Sequence, residues 1–111
     1  RFPAGNANLC TSSLYYDALI SAAHLGKALN LPKKKIDVYV SSAQTLKNNI
    51  EKYFGYHMAG YDTYRYFAGN DTLRAWICIP LTVNILERKK GTIDALFSSE
   101  LPAIQGVVWI I

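Results

Sequence analysis

Two long helical patterns, separated by a short Leu-Pro step, constrain the fold of this 111-residue chain most strongly. From Thr11 to Asn30, apolar residues recur every three or four positions, which predicts an amphipathic helix. The members of this stripe are Leu14, Ala18, Ala22, Leu25 and Leu29, widened by Tyr15 and Leu19. The hydroxyls of Thr11, Ser12 and Ser13 can cap the start of the helix, and Pro32 helps to end it.

The next stretch, Lys33–Phe54, is compatible with two structures. Alternating apolar residues at Ile36–Val40 would suit a short strand, followed by a helix that starts at a Ser-x-x-Gln capping box. The apolar residues also fall on one continuous helical stripe, and so short a strand would have no obvious partner nearby. We therefore predict one helix over Lys33–Phe54 that ends at a left-handed Gly55. Joined through Leu31-Pro32, the two helices form an antiparallel helical hairpin.

Residues 53–71, YFGYHMAGYDTYRYFAGND, contain five of the eight tyrosines of the chain. Within them, Tyr56–Ala59 and Thr63–Phe67 flank Gly60-Tyr61-Asp62, and this pattern predicts a short β-hairpin. Aromatic rings give a large contact area at low cost in side-chain entropy, and tyrosine adds a hydroxyl that can bond a wet ligand. The stretch favours a site for a flat, hydroxyl-rich ligand, although the tyrosines could instead form the half-buried faces of the hairpin.

The last third of the chain predicts two further helices. The first covers residues 71–88, is capped within the Asn70-Asp71 pair, and is bent or ended early at Pro80 because proline removes a backbone donor. Gly91 is expected to close this segment, and a final short helix is expected over residues 92–100. The chain is thus predicted to be mainly α with one short β-hairpin, as a single domain or a piece of a larger one.

The carboxylates that bracket the aromatic stretch, Asp62 and Asp71, are the candidates for chemistry. Glycoside cleavage needs two carboxyl groups about 5–10 Å apart, and a hairpin could present Asp62 among aromatic rings. Asp62 is therefore the candidate catalytic residue. The candidate ligand contacts are His57, Tyr61, Tyr64, Arg65 and Tyr66. The alternatives are a turn role for Asp62 and a helix cap for Asp71, while Glu51 is expected on a solvated outer face.

Composition and motifs argue against several other classes. The net charge of +4 is modest, and the basic runs Lys33–Lys35 and Arg88–Lys90 are interpreted as solvated helix ends, so a nucleic-acid binder is disfavoured. No segment is long and apolar enough to cross a membrane. Phosphate-loop and zinc-ligand spacings are absent from the sequence, so neither cofactor nor metal is expected. Cys10 and Cys78 are interpreted as free, buried thiols.

Two runs of this sequence resemble one known family. Residues 61–98, YDTYRYFAGNDTLRAWICIPLTVNILERKKGTIDALFS, look like the late helical-hairpin segment of six-hairpin, (α/α)6-barrel glycoside hydrolases. In that family an aromatic Tyr-Arg-Tyr hairpin is followed by a Gly-Asn-Asp cap, a Trp-containing helix and a short Ala-Leu-Phe helix. Residues 14–55, LYYDALISAAHLGKALNLPKKKIDVYVSSAQTLKNNIEKYFG, are similar to a barrel hairpin of the same type. The resemblance covers about residues 9–98.

The resemblance implies antiparallel helical hairpins of the (α/α) barrel type, in a carbohydrate-active protein of the bacterial periplasm or cell surface. Tyr61, Tyr64 and Tyr66 would contact an oligosaccharide or polysaccharide, and Asp62 matches the position that would face the cleft. A closed barrel needs twelve helices and this chain offers about four. The chain is therefore expected to be a fragment whose partner carboxylate lies on other barrel segments.

A second interpretation comes from a different functional class. The chain could be a small, non-catalytic helical module that forms a homo-oligomer, or docks on a partner, through its apolar helices and the GVVWII run at residues 106–111. Saccharide binding would favour the barrel interpretation. An oligomer that depends on concentration, without saccharide binding, would favour the module.

Overall fold

A long helical hairpin dominates the computed structural model, which describes residues 8–70, 73 and 75–98. Helix α1 spans Leu9–Ala28 and helix α2 spans Lys33–Phe54. The prediction of one continuous second helix is confirmed, and the alternative of a strand at Ile36–Val40 is wrong. Neither helix, nor any other in the described part of the chain, combines the length and apolar character needed to cross a membrane.

The start of α1 is capped one turn earlier than its hydroxyl residues predict. The Asn8 side-chain oxygen accepts a hydrogen bond from the Thr11 amide at 2.8 Å. Asparagine is a strong N-cap because its side chain pairs one of the amides that the first helical turn leaves unbonded. The helix therefore begins at Leu9, and Thr11 lies inside its first turn.

The leucine stripe of α1 faces away from the rest of the described structure. Leu14, Leu25 and Leu29 are 53%, 62% and 69% exposed. The buried face is formed by Leu9 and three smaller residues, Ser13, Ala23 and Gly26. A Cβ at Gly26 would lie only 3.1 Å from Ile36 Cγ1 of α2. Because small residues allow two helix backbones to approach closely, α1 packs on α2 beside Gly26 and leaves Leu14 and Leu25 exposed.

A two-stranded antiparallel hairpin follows α2 directly, and this confirms the predicted mainly α fold with one short β-hairpin. Strand β1 spans Gly55–Met58 and strand β2 spans Tyr61–Tyr64. The turn is Ala59-Gly60, with φ values of 53° and 85°, rather than the predicted Gly60-Tyr61-Asp62. Two consecutive left-handed residues are the geometry that a two-residue hairpin turn requires. Tyr61 and Asp62 are therefore strand residues.

The glycine at the end of α2 has a different role from the one predicted. Gly55 is extended, with φ −60° and ψ 126°, so the predicted left-handed cap is wrong. A Cβ at this position would lie 2.8 Å from Arg88 Nε and would also collide with the Glu51 carbonyl oxygen. Glycine at position 55 therefore leaves room for the Arg88 side chain. The backbone angles at this position do not themselves require glycine.

The predicted third helix over residues 71–88 is wrong in its length. The described structure has a 3₁₀ turn at Ala75–Cys78 and a single α turn, α3, at Ile79–Thr82. Pro80 lies in the first turn of α3, where a missing amide costs nothing. A left-handed Asn84, with φ 68°, then ends the segment. The predicted cap at Asp71 lies outside the described residues.

The last helix, α4, spans Lys89–Leu96 and packs on strand β2. The predicted break at Gly91 is wrong, because Gly91 lies inside the helix at its closest approach to β2. A Cβ there would lie 2.7 Å from the Asp62 carbonyl carbon and would overlap the Asp62 carbonyl oxygen. Beside it, the buried hydroxyls of Thr63 and Thr92 share a hydrogen bond of 2.7 Å.

The hydrophobic core lies at the end of the helical hairpin where α1 begins and α2 ends. Tyr64 and Tyr66 are 0% and 1% exposed and are among the largest buried side chains. The other members of the core are Leu9, Ile50, Phe54, Met58, Leu73, Ile77, Val83, Ile85 and Ala95. The Leu9 amide donates to the Tyr66 carbonyl oxygen at 2.8 Å, which ties the start of α1 to the segment after β2.

We expect Gly91→Ala to destabilise the fold, because the added methyl group must push α4 away from the Asp62 backbone. Overpacking of this kind costs about 1–3 kcal/mol, and the better helix propensity of alanine offsets about 1 kcal/mol of it. Gly26→Ala is the matched control, because its methyl group meets only side-chain atoms, those of Ile36 and Leu31, and no backbone outside its own helix. Urea unfolding followed by circular dichroism measures both. Equal stability of the Gly91 variant and the wild type would contradict the packing described.

Candidate functional site at the aromatic hairpin

The structure separates the predicted ligand contacts into buried and exposed groups. Tyr64 and Tyr66 are enclosed in the core, so neither ring can touch a ligand without the core opening. The expectation that they stack on a saccharide does not agree with this burial. Tyr61 and Arg65 are half-buried, and His57 and Asp62 are exposed. The accessible part of the predicted site is therefore His57, Tyr61, Asp62 and Arg65.

Two other tyrosines provide the outward aromatic surface. Tyr53 in the last turn of α2 and Tyr56 in β1 are 41% and 43% exposed. The Arg65 guanidinium carbon lies 5.8 Å from the centre of the Tyr53 ring and 5.1 Å from that of Tyr56. Arg65 Nε also donates to the Tyr53 carbonyl oxygen at 3.0 Å. We call Tyr53, Tyr56 and Arg65 the aromatic surface.

Sequence reasoning noted the density of tyrosines but did not separate Tyr53 and Tyr56 from the rest. A signal was present in the alternation of strand side chains, because Arg65 lies between the two core residues Tyr64 and Tyr66. An arginine between two buried aromatic residues must point to the opposite side. The rings nearest to that side are then the candidates for ligand contact.

Arg88 connects the hairpin to helix α2. Its Nη1 donates to the Asp62 carboxylate, and its Nε donates to Glu51 Oε1 at 2.6 Å. The Arg88 and Glu51 side chains are 21% and 32% exposed, whereas that of Asp62 is 65% exposed. The register of the hairpin places Asp62 directly opposite His57. Asp62 is therefore a strand carboxylate held by a guanidinium, and the alternative of a turn residue is wrong.

Two further expectations are corrected by this network. The sequence predicts Glu51 on a solvated outer face and Arg88 in a solvated basic run. In the structure each side chain is partly buried and paired with the other. These residues are 37 positions apart in the sequence, and Arg88 and Asp62 are 26 apart. No local pattern reports a pairing across such separations, since it depends on how β2 and α4 pack.

The Tyr64 hydroxyl lies beside the Glu51 carboxylate beneath this network. Burial, and then the negative charges of Glu51 and Glu87, raise the pKa of Tyr64 well above its ordinary value of 10. Neither the Tyr64 hydroxyl nor Glu51 Oε2 makes a hydrogen bond of normal geometry to another described group. Tyr64 therefore stays protonated throughout the physiological range and is a core residue next to the network.

A second ion pair links α2 to the segment before α4. Lys47 Nζ lies 2.8 Å from Glu87 Oε1. Burial alone would raise the pKa of Glu87, but the hydrogen bond from Lys47, backbone hydrogen bonds and the Lys47 charge outweigh it, so the pKa lies below 4.5. The hydrogen bond to Glu87 raises the pKa of Lys47 above 10.5 despite partial desolvation. Both shifts show that folding favours the charged pair.

The chemistry available at this site is that of the Asp62 carboxyl group, which accepts a hydrogen bond from Arg88. A carboxylate that accepts from a guanidinium is arranged to act as a base, a nucleophile or a hydrogen-bond acceptor, not as a proton donor. Within residues 8–70, 73 and 75–98 there is no cluster of three His, Cys, Asp or Glu side chains that could hold a metal ion. Cys10 and Cys78 are free, half-buried thiols, and burial raises the pKa of Cys78.

Comparison with protein-family models, with curated proteins and with solved structures gives no significant match to this chain.

We expect Arg88→Met to destabilise the protein by about 1–2 kcal/mol, because a partly buried Glu51 carboxylate loses its charged partner. Lys90→Met is the matched control, because it removes a cation whose side chain is 89% exposed and whose only ion pair in the described structure is with Asp94 in the next helical turn. Thermal or urea unfolding should show a loss for the Arg88 variant and no measurable change for the control. Equal effects of the two substitutions would show that Arg88 does not hold the hairpin to α2.

We expect the Lys47–Glu87 pair to make stability depend on acidity. Because folding lowers the pKa of Glu87, the stabilisation is fully present above about pH 5 and is lost as the pH falls through the folded-state pKa. Glu87→Gln should therefore lower the free energy of unfolding by at most about 1 kcal/mol at pH 7 and by less at pH 3. Urea unfolding at the two pH values tests this, with Asp94→Asn as control. A loss for Glu87→Gln that is the same at both pH values would count against the assignment.

Proposed function

We propose that this chain is a helical-hairpin segment of a carbohydrate-active protein of the (α/α) barrel type, and that its aromatic surface contacts the saccharide. The observation that carries the proposal is the pair of exposed rings, Tyr53 and Tyr56, held by Arg65 at the end of the helical hairpin. Sugar rings present apolar C–H faces beside hydroxyl groups, so they suit an aromatic surface next to polar side chains. Arg65 supplies the polar group beside the rings, whereas His57 and Asp62 are exposed on the other face of the hairpin.

The aromatic surface is held in place before any ligand binds, and this preorganisation supports saccharide binding there. Arg65 makes a hydrogen bond to the Tyr53 backbone and lies over both rings. Tyr53 also packs edge-on against the buried Phe54, with ring centres 4.8 Å apart. A ring that is already held loses little side-chain entropy when a ligand binds, and this favours affinity.

Asp62 is the residue that we propose to act on the bound sugar if the parent protein is a hydrolase. Its pairing with Arg88 suits a base or a nucleophile, and the reaction needs a second carboxyl group as the acid. Glu51 shares Arg88 with Asp62, and its second oxygen is buried, so Glu51 is not placed to donate a proton to a glycosidic oxygen. We therefore assign the acid to another segment of the barrel, and saccharide contact to this one. A bacterial periplasmic or surface location belongs to the same proposal.

A second candidate function is that of a helical interaction module. The observation that favours it is the exposure of Leu14 and Leu25 on α1 and of Leu29 directly after it, which suits packing against another α-helix. This candidate does not use the aromatic surface, so the two functions can be separated by substitutions on different elements.

We expect the chain to bind oligosaccharides, and we expect Tyr56→Ala to weaken that binding by about tenfold, because it removes one ring of the aromatic surface. Isothermal titration calorimetry with a panel of neutral and acidic oligosaccharides measures the effect. Tyr15→Ala is the matched control, since Tyr15 is 59% exposed on α1 and is not part of the aromatic surface. Tyr64→Ala is unsuitable, because it would open a cavity in the core.

Asp62→Asn should leave the fold intact, because the carboxylate is mostly exposed. Weaker binding by this variant would show that the saccharide reaches both faces of the hairpin. Equal affinities of the Tyr56 and Tyr15 variants, or no binding of any oligosaccharide, would remove the support for the saccharide proposal.

A further inference from the structure

Arg65 is a cation that is held in position while most of its hydrogen-bonding groups remain unused. Its guanidinium presents a planar fork of N–H donors. Nε donates to the Tyr53 carbonyl oxygen at 3.0 Å, and the N–H groups of Nη1 and Nη2 make no bond within the described structure. None of the ion pairs between described residues includes Arg65. Its terminal N–H groups are therefore available to a ligand.

Arg88 shows the contrasting case of an arginine whose charge is balanced inside the fold. It donates to both Asp62 and Glu51. Arg65 is also held, by its backbone bond and by the two tyrosine rings, but no described carboxylate balances it. A cation that is already positioned loses little side-chain entropy when an anion binds, and this favours an anionic ligand at Arg65.

The acidic group of strand β2 lies on the other face of the hairpin. The Arg65 amide donates to the Phe54 carbonyl oxygen at 2.8 Å, so the pairing of the strands continues to this residue. Tyr56 is paired with Thr63, two positions before Arg65, and side chains two positions apart share a face. Asp62 lies on the opposite face by the same alternation. An anion that approaches the aromatic surface therefore meets the Arg65 cation rather than the Asp62 carboxylate.

The shape of the guanidinium and the rings beside it favour one kind of anion. The planar fork matches the two oxygens of a carboxylate, which it can bind with two parallel hydrogen bonds. The Arg65 guanidinium carbon lies 5.8 Å and 5.1 Å from the centres of the Tyr53 and Tyr56 rings. A ligand in contact with either ring is thus within reach of Arg65. A uronic acid combines the two features, because its sugar ring has apolar C–H faces and carries a carboxylate at its edge.

Building on the proposed saccharide contact, we propose that the aromatic surface selects acidic saccharides, and that Arg65 binds the carboxylate of a uronic acid residue whose ring lies against Tyr53 or Tyr56. Arg65 is then the residue that determines specificity. A neutral saccharide would contact the rings without engaging the charge of the guanidinium.

Isothermal titration calorimetry with two matched oligomers tests the proposal. One is an oligogalacturonide, and the other is the same oligomer with its carboxyl groups methyl-esterified, which removes the charge and keeps the sugar. At low ionic strength the wild type should bind the acidic oligomer about tenfold more tightly. Arg65→Met should remove this preference. Arg65→Lys should keep part of it, because lysine retains the charge without the planar fork.

Lys33→Met is the matched control for the loss of one positive charge. Lys33 is exposed and lies in the same helix as Tyr53, 20 positions earlier. At 1.5 Å per residue the two are about 30 Å apart along α2. This variant should therefore keep the preference for the acidic oligomer. Circular dichroism of each variant shows whether the helices remain folded.

The outcomes distinguish this proposal from the saccharide assignment itself. If the wild type binds both oligomers equally and Tyr56→Ala weakens both, the uronic acid proposal is overturned and the saccharide assignment stands. If neither oligomer binds, both are overturned. Equal competition by a sulfated oligomer of the same length would show that charge alone is recognised, and would overturn the assignment of a carboxylate.

Discussion

The burial of Tyr64 and Tyr66 is the packing event on which the rest of the structure depends. Both rings lie where α1 begins and α2 ends, and both are almost completely removed from solvent. Burying two large aromatic side chains is the main contribution that this segment can make to stability. Because neighbouring side chains in an extended segment point to opposite sides, Arg65 is directed outward, between Tyr53 and Tyr56.

The site also depends on the close approach of the α4 backbone to strand β2. Gly91 lets α4 lie directly against the backbone of Asp62. The segment leading into α4 then brings Arg88 to the hairpin, where Gly55 leaves room for its guanidinium group. Two glycines without left-handed backbone angles thus determine where a charged side chain can lie. The result is a carboxylate, Asp62, with a fixed cation beside it and solvent in front of it.

The molecule presents two different surfaces, which lie on different elements. The hairpin end is aromatic and charged and is supported by the core, which suits a polar ligand. The exposed side of α1 is apolar at Leu14 and Leu25, which suits a second helix. Helix α1 buries mainly small residues, so Leu14 and Leu25 stay exposed. Another element would be needed to cover them. Both proposed properties follow from which face of each element the core uses.

The sequence by itself was sufficient for the long helices, the β-hairpin and the mainly α class, because these depend on local periodicity and on turn residues such as Gly60. The sequence was not sufficient to predict which face of α1 is buried, because both faces are apolar enough to be buried. The length of the third helix was also decided by tertiary packing, since Pro80 and Asn84 divide a pattern that looks continuous.

The same long-range packing determines which residues form the site. Glu51, Asp62 and Arg88 come from separate elements, and a pairing between residues so far apart in the chain has no local signature. Local spacing determines which backbone forms a helix or a strand. Which side chains then meet depends on how closely those elements approach, and here that is determined by the space left at Gly55 and Gly91.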